Sequence, residues 1–172
     1  MTVRGSILET FLKIICSDNR TLRFSKMSSL ITPTIRFHFL SEVTLRDRAR
    51  LKTFLPTLFR REKKRLAELQ YIFCSDDYLL EINKQYLKHN YYTDIITFDL
   101  SEQGQPINAE IYISVDRVRD NARSFGNSLK NELHRVVFHG ALHLCGYRDK
   151  SQQEEKLMRQ MEDQYLRLYF SK

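Results

Sequence analysis

The amino-acid sequence predicts a single α+β domain, with one small mixed sheet of about four strands covered by about five helices. Four short segments alternate apolar with polar residues or are rich in β-branched and aromatic residues, which is typical of strands. Longer segments with helical apolar spacing lie between and after them, so the predicted element order is βαβαββααα. The predicted strands are Thr34–Leu40, Leu69–Cys74, Asp94–Leu100 and Ala109–Val115.

Five segments carry the spacing and the end signals of helices. Pro56 lies inside the first and is expected to kink or break it, because proline lacks a backbone N–H. Ser75 and Ser128 are placed to cap the second and fourth helices, and Ser151 begins a Ser-x-x-Glu capping box at the fifth. The predicted helices are approximately 45–66, 76–86, 116–125, 129–145 and 152–169.

Length and composition restrict the class of protein. A chain of 172 residues is long enough for one domain with a sizeable core. The three cysteines, Cys16, Cys74 and Cys145, form no CxxC pair, which argues against a disulfide scaffold or a Cys-rich zinc site. No apolar run approaches the length of a bilayer span, and residues 5–16 lack the uninterrupted apolar core of a signal peptide. These observations predict a cytoplasmic protein with no membrane partner.

Residues 1–33 are predicted to be an N-terminal extension, followed by a single domain over residues 34–172. The first 30 residues are polar, rich in serine and poorly patterned, which is typical of a disordered arm. Met27 also offers an alternative start, in which case residues 1–26 are an upstream extension of the reading frame.

Positive charge is concentrated in the first part of the chain. Residues 1–66 hold 15 Lys and Arg against 5 Asp and Glu, whereas residues 67–172 hold 13 against 16. This asymmetry favours a polyanionic partner such as RNA, and a solvated basic helix is the alternative interpretation. The candidate nucleic-acid-binding residues are the basic run Arg60, Arg61, Lys63, Lys64 and Arg65.

One segment, HGALHLCGYRD, has the spacing of a three-ligand metal site on a helix and the turn after it. His139 and His143 are separated by four residues, so they share one face of a helix. Gly146 supplies a residue that tolerates the left-handed conformation, so the chain can turn and bring Asp149 to the same point. Two imidazoles and one carboxylate suit a catalytic Zn²⁺, which takes three protein ligands and a water.

The residues around these three ligands indicate which reactions the site is expected to catalyse. Gly140 stands where HExxH zinc peptidases carry their general-base glutamate, and Glu132 is seven residues before His139, so peptide hydrolysis is not expected. Cys145 is interpreted as a core residue, because free cysteine is usually a small buried hydrophobe. A non-haem iron oxygenase remains an alternative, since two His and one carboxylate also form the facial triad of those enzymes.

The same segment resembles the signature HGxLHLxGYDH of the YbeY family of rRNA-maturation endoribonucleases. Upstream, residues 83–86 resemble the family's N-x-x-Y segment, and residues 93–98 and 109–114 resemble two of its strand motifs. The similarity spans approximately residues 34–168. It implies an α+β fold, single-strand-selective RNA cleavage, action on small-subunit rRNA ends and a role in ribosome quality control.

The resemblance also indicates which site residues are shared. His139 and His143 match the first two family ligands, while Asp149 stands where the family has a third His. Asp is an accepted zinc ligand, and its harder oxygen also admits Mn²⁺ or another divalent ion. The family often has Arg at the position of Leu87, so the adjacent Lys88 is a candidate phosphate-binding cation.

Further candidates complete the predicted RNA site. Arg135 precedes His139 by four residues and is a second candidate catalytic cation, near the ligand face. Tyr91 and Tyr92 are candidates for stacking on unpaired bases, or are ordinary loop or core aromatics.

The leading hypothesis for the function is metal-dependent cleavage of single-stranded RNA. The alternative is a non-catalytic RNA-binding ribosome-assembly factor whose metal is structural. The oligomeric state is not predicted.

Overall fold

Four strands form one mixed sheet in the computed structural model, which describes residues 32–171. The strand order is β1-β2-β4-β3; β1, β2 and β4 are parallel, and β3 is antiparallel to β4. The predicted extension, residues 1–33, lies almost entirely outside the described residues. The strands are β1 (Thr34–Phe39), β2 (Leu66–Cys74), β3 (Ile95–Asp99) and β4 (Ile107–Ser114).

Within residues 32–171, five α-helices connect and cover these strands, which confirms the predicted α+β class and element order. Ser75, Ser128 and Ser151 cap their helices as predicted, and Ser151 forms a complete capping box with Glu154. The second helix continues directly into a π-helical turn, Asn83–Leu87. The helices are α1 (Arg48–Arg61), α2 (Asp76–Ile82), α3 (Val115–Ser124), α4 (Leu129–Cys145) and α5 (Gln152–Phe170).

The two faces of the sheet bury different sets of side chains, because successive strand residues point to opposite sides. In β2, Leu69, Tyr71 and Phe73 pack into a large core with residues of α1, α3, α4 and α5. Ile72 and Cys74 face the other way and pack with residues of α2 and β3 in a smaller core. Helix α4, which carries the candidate ligands, therefore lies on the large-core face.

Of the kink or break predicted at Pro56, the break does not occur in the first helix. It runs without a break from Arg48 to Arg61, although Pro56 lies inside it. An interior proline costs about 3 kcal/mol, whereas burying one Leu or Phe side chain contributes about 1.5–3 kcal/mol. Burial of the helix face therefore outweighs the lost hydrogen bond. The buried side chains of this face are Leu51, Leu55, Leu58 and Phe59.

The predicted end of the first helix is also wrong. The helix ends at Arg61 and β2 begins at Leu66, earlier than the predicted boundaries of 66 and 69. Lys63 adopts a left-handed conformation with φ of 57°, which stops the helix. Only the first two residues of the basic run therefore lie in the last helical turn, and the other three lie in the connection to β2.

At Gly140, α4 packs closely against the sheet. A Cβ atom at this position would lie 2.8 Å from Ile95 Cδ1 and 2.9 Å from Ile111 Cγ2. Contacts this short require a neighbour to move, since protein interiors are close-packed. The helix therefore needs glycine here to bring His139 and His143 close to the sheet.

A Gly140→Ala substitution is expected to destabilise the protein. Overpacking costs about 1–3 kcal/mol, against a gain of about 1 kcal/mol from the better helix propensity of alanine. The net loss in free energy of unfolding should be about 1 kcal/mol, measured by urea denaturation. Adding Ile95→Val removes the nearest carbon and should recover part of the loss. A Gly140→Ala protein more stable than the wild type would contradict this packing argument.

Candidate metal centre

The three predicted ligands lie together at the C-terminal half of α4 and the turn after it. Asp149 Oδ2 lies 3.5 Å from His139 Nε2 and 3.4 Å from His143 Nε2. One ligand atom from each residue lies within 4.8 Å of the other two, an arrangement that could hold a metal ion. The three donors therefore converge on one point, as the sequence spacing predicted.

Local backbone geometry explains the convergence. The imidazole rings of His139 and His143 lie one turn apart, with ring centroids separated by 4.4 Å. Gly146 ends the helix at φ 106°, a conformation that side chains rarely adopt. The N–H of Gly146 donates to the His143 carbonyl, and the N–H of Tyr147 donates to the Leu142 carbonyl. The chain then reverses and returns Asp149 to the histidines.

Both histidines are fixed by a hydrogen bond at Nδ1. His139 Nδ1–H donates to Glu162 Oε1 at 2.8 Å, and His143 Nδ1–H donates to the Tyr147 carbonyl at 3.0 Å. A carboxylate and a carbonyl can only accept, so each Nδ1 carries the proton and each Nε2 is the coordinating nitrogen. Such partners orient the imidazoles of metal sites and raise their basicity.

Glu162 connects the site to two arginines. It lies on α5 and is almost completely buried. Its second oxygen, Oε2, accepts from Arg135 Nη1 at 2.9 Å and from Arg159 Nη1 at 3.2 Å. Arg135 also pairs with Asp163 at 2.7 Å, and only 13% of its side chain is exposed. The guanidinium of Arg135 is therefore bound to carboxylates beneath the site.

The electrostatics of the three donors are consistent with a site prepared for a cation. Burial lowers the pKa of His139, but hydrogen bonds to Asp149 and Glu162 outweigh this and raise it to about 9. Burial and the neighbouring His139 lower the pKa of His143, which favours its neutral form. The hydrogen bond from His139 lowers the pKa of Asp149, which keeps it ionised. A metal ion bound at neutral pH would displace the proton on His139.

Comparison with known proteins identifies the family of this chain. A family model for endoribonuclease YbeY matches residues 41–169 of the chain. The chain belongs to the YbeY family. This confirms the resemblance read from the sequence motifs.

Members of the YbeY family from other organisms match most of the chain. Endoribonuclease YbeY of Cytophaga hutchinsonii is 52% identical over 128 residues, covering 74% of this chain and 90% of the relative. The Flavobacterium psychrophilum protein of the same name is 45% identical, covering 80% and 98%. A solution structure of a Thermotoga maritima protein is 30% identical with a TM-score of 0.51, covering 78% and 89%.

The structure also locates the cations that the sequence singled out. Lys88 is exposed and follows the π-helical turn with a left-handed backbone, φ 57°. Every residue of the basic run, Arg60, Arg61, Lys63, Lys64 and Arg65, is exposed. Between them, Glu62 accepts hydrogen bonds from the hydroxyls of Tyr147, at 2.9 Å, and Tyr165. The basic run is therefore tied to the turn that carries Asp149.

Cys145, which was predicted to be a core residue, and His134 lie outside the ligand cluster. Cys145 packs against the large core, and burial raises the pKa of its thiol to about 12. His134 is buried among aromatic rings and its Nδ1 bonds to the Lys130 carbonyl. Among residues 32–171, every helix is too short or too polar to span a lipid bilayer.

Two carboxylates near the site were missed by the sequence analysis. Glu162 lies 23 residues from His139 on another helix, and no local spacing relates them. Asp94 precedes β3, and its charge contributes to raising the pKa of His139 and opposes the lowering of the pKa of His143. Asp94 falls within one of the strand motifs shared with the YbeY family, which was the only available signal.

Proposed function

We propose that this protein is a metal-dependent endoribonuclease that cleaves single-stranded RNA during small-subunit rRNA maturation and ribosome quality control in the cytoplasm. Membership of the YbeY family supports RNA as the substrate, because the named relatives are endoribonucleases. The observation that carries the proposal is the cluster of three donors with both Nε2 atoms turned toward one carboxylate oxygen. Its proposed ligands are His139, His143 and Asp149.

The donor set fits Zn²⁺. Ligand bonds of about 2.0–2.1 Å in a tetrahedral site separate neighbouring donors by about 3.3 Å. The measured separations of 3.5 and 3.4 Å between Asp149 Oδ2 and the two Nε2 atoms are close to this value. The Asp149 side chain is 41% exposed, so the site opens to solvent on that side. Because the third ligand is a carboxylate, Mn²⁺ is the alternative ion.

The protein groups around the ion have separate roles in this proposal. A bound divalent ion supplies water activation or polarises a phosphoryl oxygen. Glu162 and the Tyr147 carbonyl hold the two imidazoles in their coordinating tautomer. Arg135 acts as a positioning residue through Glu162, since its guanidinium is already paired with carboxylates.

Binding of the RNA backbone is assigned to exposed cations. The basic run and Lys88 can neutralise phosphates by charge, with little dependence on sequence. Glu62 connects the basic run to Tyr147, two residues before Asp149, so phosphates bound there lie along a path to the site. Gly140, which packs against the sheet, stands where HExxH zinc peptidases carry their general-base glutamate. Peptide hydrolysis is therefore not proposed.

A non-catalytic ribosome-assembly factor with a structural metal is the second candidate. The glycine at the general-base position is the observation that favours it. However, structural zinc sites usually have four protein ligands, and the cluster found among residues 32–171 has three. The large core also forms without contribution from the ligand side chains.

Chelation distinguishes the two functions. The metal-loaded protein is treated with a chelator, and RNA cleavage and circular dichroism are measured on the same sample. We expect cleavage to fall to background while the helical signal persists at room temperature, because the core does not depend on the ligands. Added Zn²⁺ should restore cleavage. Unfolding on chelation, with no cleavage by the loaded protein, would support the structural role instead.

A further inference from the structure

One face of α3 runs beside the candidate metal site. Arg117, Asn121 and Phe125 are spaced four residues apart along α3 and its C-terminal cap, so they form one stripe about 12 Å long. In its middle, Asn121 Nδ2 lies 3.4 Å from Asp94 Oδ2. Asp94 is followed by Ile95, whose Cδ1 would lie 2.8 Å from a Cβ atom on Gly140, the residue after His139. The centre of the stripe is therefore near the part of α4 that carries the metal ligands.

An exposed tyrosine lies at one end of this stripe. Tyr92 is 47% exposed, and the Arg117 guanidinium lies 4.9 Å from its ring centroid. Arg117 is held in place by Asp76, with Nε donating to Oδ2 at 2.8 Å. The Tyr92 hydroxyl donates to Asp77 at 3.3 Å. The ring is thus fixed in orientation while much of its surface faces solvent.

The loop that carries this ring is itself anchored. Asn83 is almost completely buried, and its Nδ2 donates to the Tyr91 carbonyl at 2.8 Å. The Asn83 carbonyl accepts from the His89 N–H at 3.2 Å. The loop is therefore held at two points by a buried residue of the π-helical turn, a conformation often found at functional sites.

Phe125 lies at the other end of the stripe, and an arginine guanidinium also lies near its ring. Phe125 is 60% exposed, and the Arg159 guanidinium lies 5.8 Å from its ring centroid. Arg159 also pairs with Glu162 at 3.2 Å, and Glu162 binds His139. Phe125 is therefore connected to His139 through two intervening side chains, those of Arg159 and Glu162. Two exposed aromatic–arginine pairs thus lie at the two ends of a stripe that passes near the candidate metal site.

We propose that Tyr92 and Phe125 stack on unpaired bases on either side of the phosphate that is cleaved. This inference rests on the proposed function and identifies the residues that select single strands. An aromatic ring can stack on any base with a free face, and each such contact contributes about 1–3 kcal/mol to binding. Bases inside a duplex have both faces covered by their neighbours. The arginines add positive charge beside each ring, which suits the flanking phosphates.

Binding of short single strands tests this inference on the zinc-loaded protein. The probes are a fluorescent 2′-O-methyl oligoadenylate and an abasic strand of equal length, which retains the phosphates but lacks the bases. Tyr92→Leu and Phe125→Leu should each weaken oligoadenylate binding about 5- to 50-fold and leave abasic binding unchanged. Tyr92→Phe keeps the ring and should bind like the wild type. Phe39→Leu is the matched control and should bind like the wild type. Phe39 also pairs with an arginine, Arg48, but it lies on β1, the edge strand opposite β3.

The outcomes separate this inference from the proposed function. Equal oligoadenylate binding by wild type and both leucine variants would overturn the stacking role, even if the wild type cleaves RNA. Equal weakening on the abasic strand would also overturn it, since the loss would then concern phosphates rather than bases. Failure of the wild type to cleave unmodified RNA would overturn the nuclease function, whereas base-dependent binding would still support stacking.

Discussion

Replacing His143 with alanine is expected to abolish RNA cleavage and the retention of metal by the purified protein. His143 supplies one of three donors, and its Nε2 lies 3.4 Å from Asp149 Oδ2. Loss of a directly coordinating group should exceed the 10- to 100-fold loss typical of residues that only orient ligands, so the activity should fall more than about 100-fold. Cleavage of an unstructured RNA and elemental analysis measure the two effects.

Two further variants control this experiment. Asp149→Ala removes a different ligand and should give the same loss, although its backbone lies outside the helix. His38→Ala makes an identical change on β1, where His38 contacts Gln70 instead of the site, and should leave both readouts near wild type. Cleavage by a folded His143→Ala protein at the wild-type rate would rule out the metal site as the catalytic centre.

Substitution of Glu162 by glutamine is expected to weaken metal binding about 10- to 100-fold without removing a ligand. The Glu162 carboxylate fixes His139 through Nδ1 at 2.8 Å and makes its imidazole a stronger donor. Glutamine preserves the size of the side chain but lacks the negative charge, so the coordinating tautomer of His139 is less favoured. Competition against a chelator of known affinity measures the change in dissociation constant.

Glu155→Gln is the matched control, because Glu155 lies exposed on the same helix. It should bind metal like the wild type. The Glu162→Gln protein should still fold, since Arg135 keeps its pair with Asp163 at 2.7 Å. Unchanged affinity in a folded Glu162→Gln protein would show that the buried carboxylate does not support the site.

The ligand cluster was predictable from sequence because its geometry is local. His139, His143 and Asp149 lie within eleven consecutive residues, and helix periodicity with a glycine stop fixes their relative positions. The α+β class was predictable for a similar reason, since strand and helix periods differ. The family motifs added the expected chemistry but not the contacts around the ligands.

Other features depended on packing between distant segments. Glu162 is brought to His139 by the docking of α5 on α4, which no spacing in the sequence encodes. The continuity of α1 through Pro56 depends on how much apolar surface the helix buries, and this is a property of the folded core. The pairing of Arg135 with Glu162 and Asp163 could not be predicted either, because packing of α5 on α4 brings these residues together. In our proposal, Arg135 therefore positions Glu162 instead of contacting RNA.

Two contacts of Tyr147 connect the proposed metal site to distant parts of the domain. Its carbonyl orients His143, and its hydroxyl bonds to Glu62, 85 residues earlier in the chain. Glu62 also accepts from Tyr165 of α5, so the segments that follow α1 and α4 meet α5 at one carboxylate. These long-range contacts hold the turn that carries the third ligand in its position. A partly folded chain would therefore lack a complete ion site, and nuclease activity at this site would be confined to the finished fold.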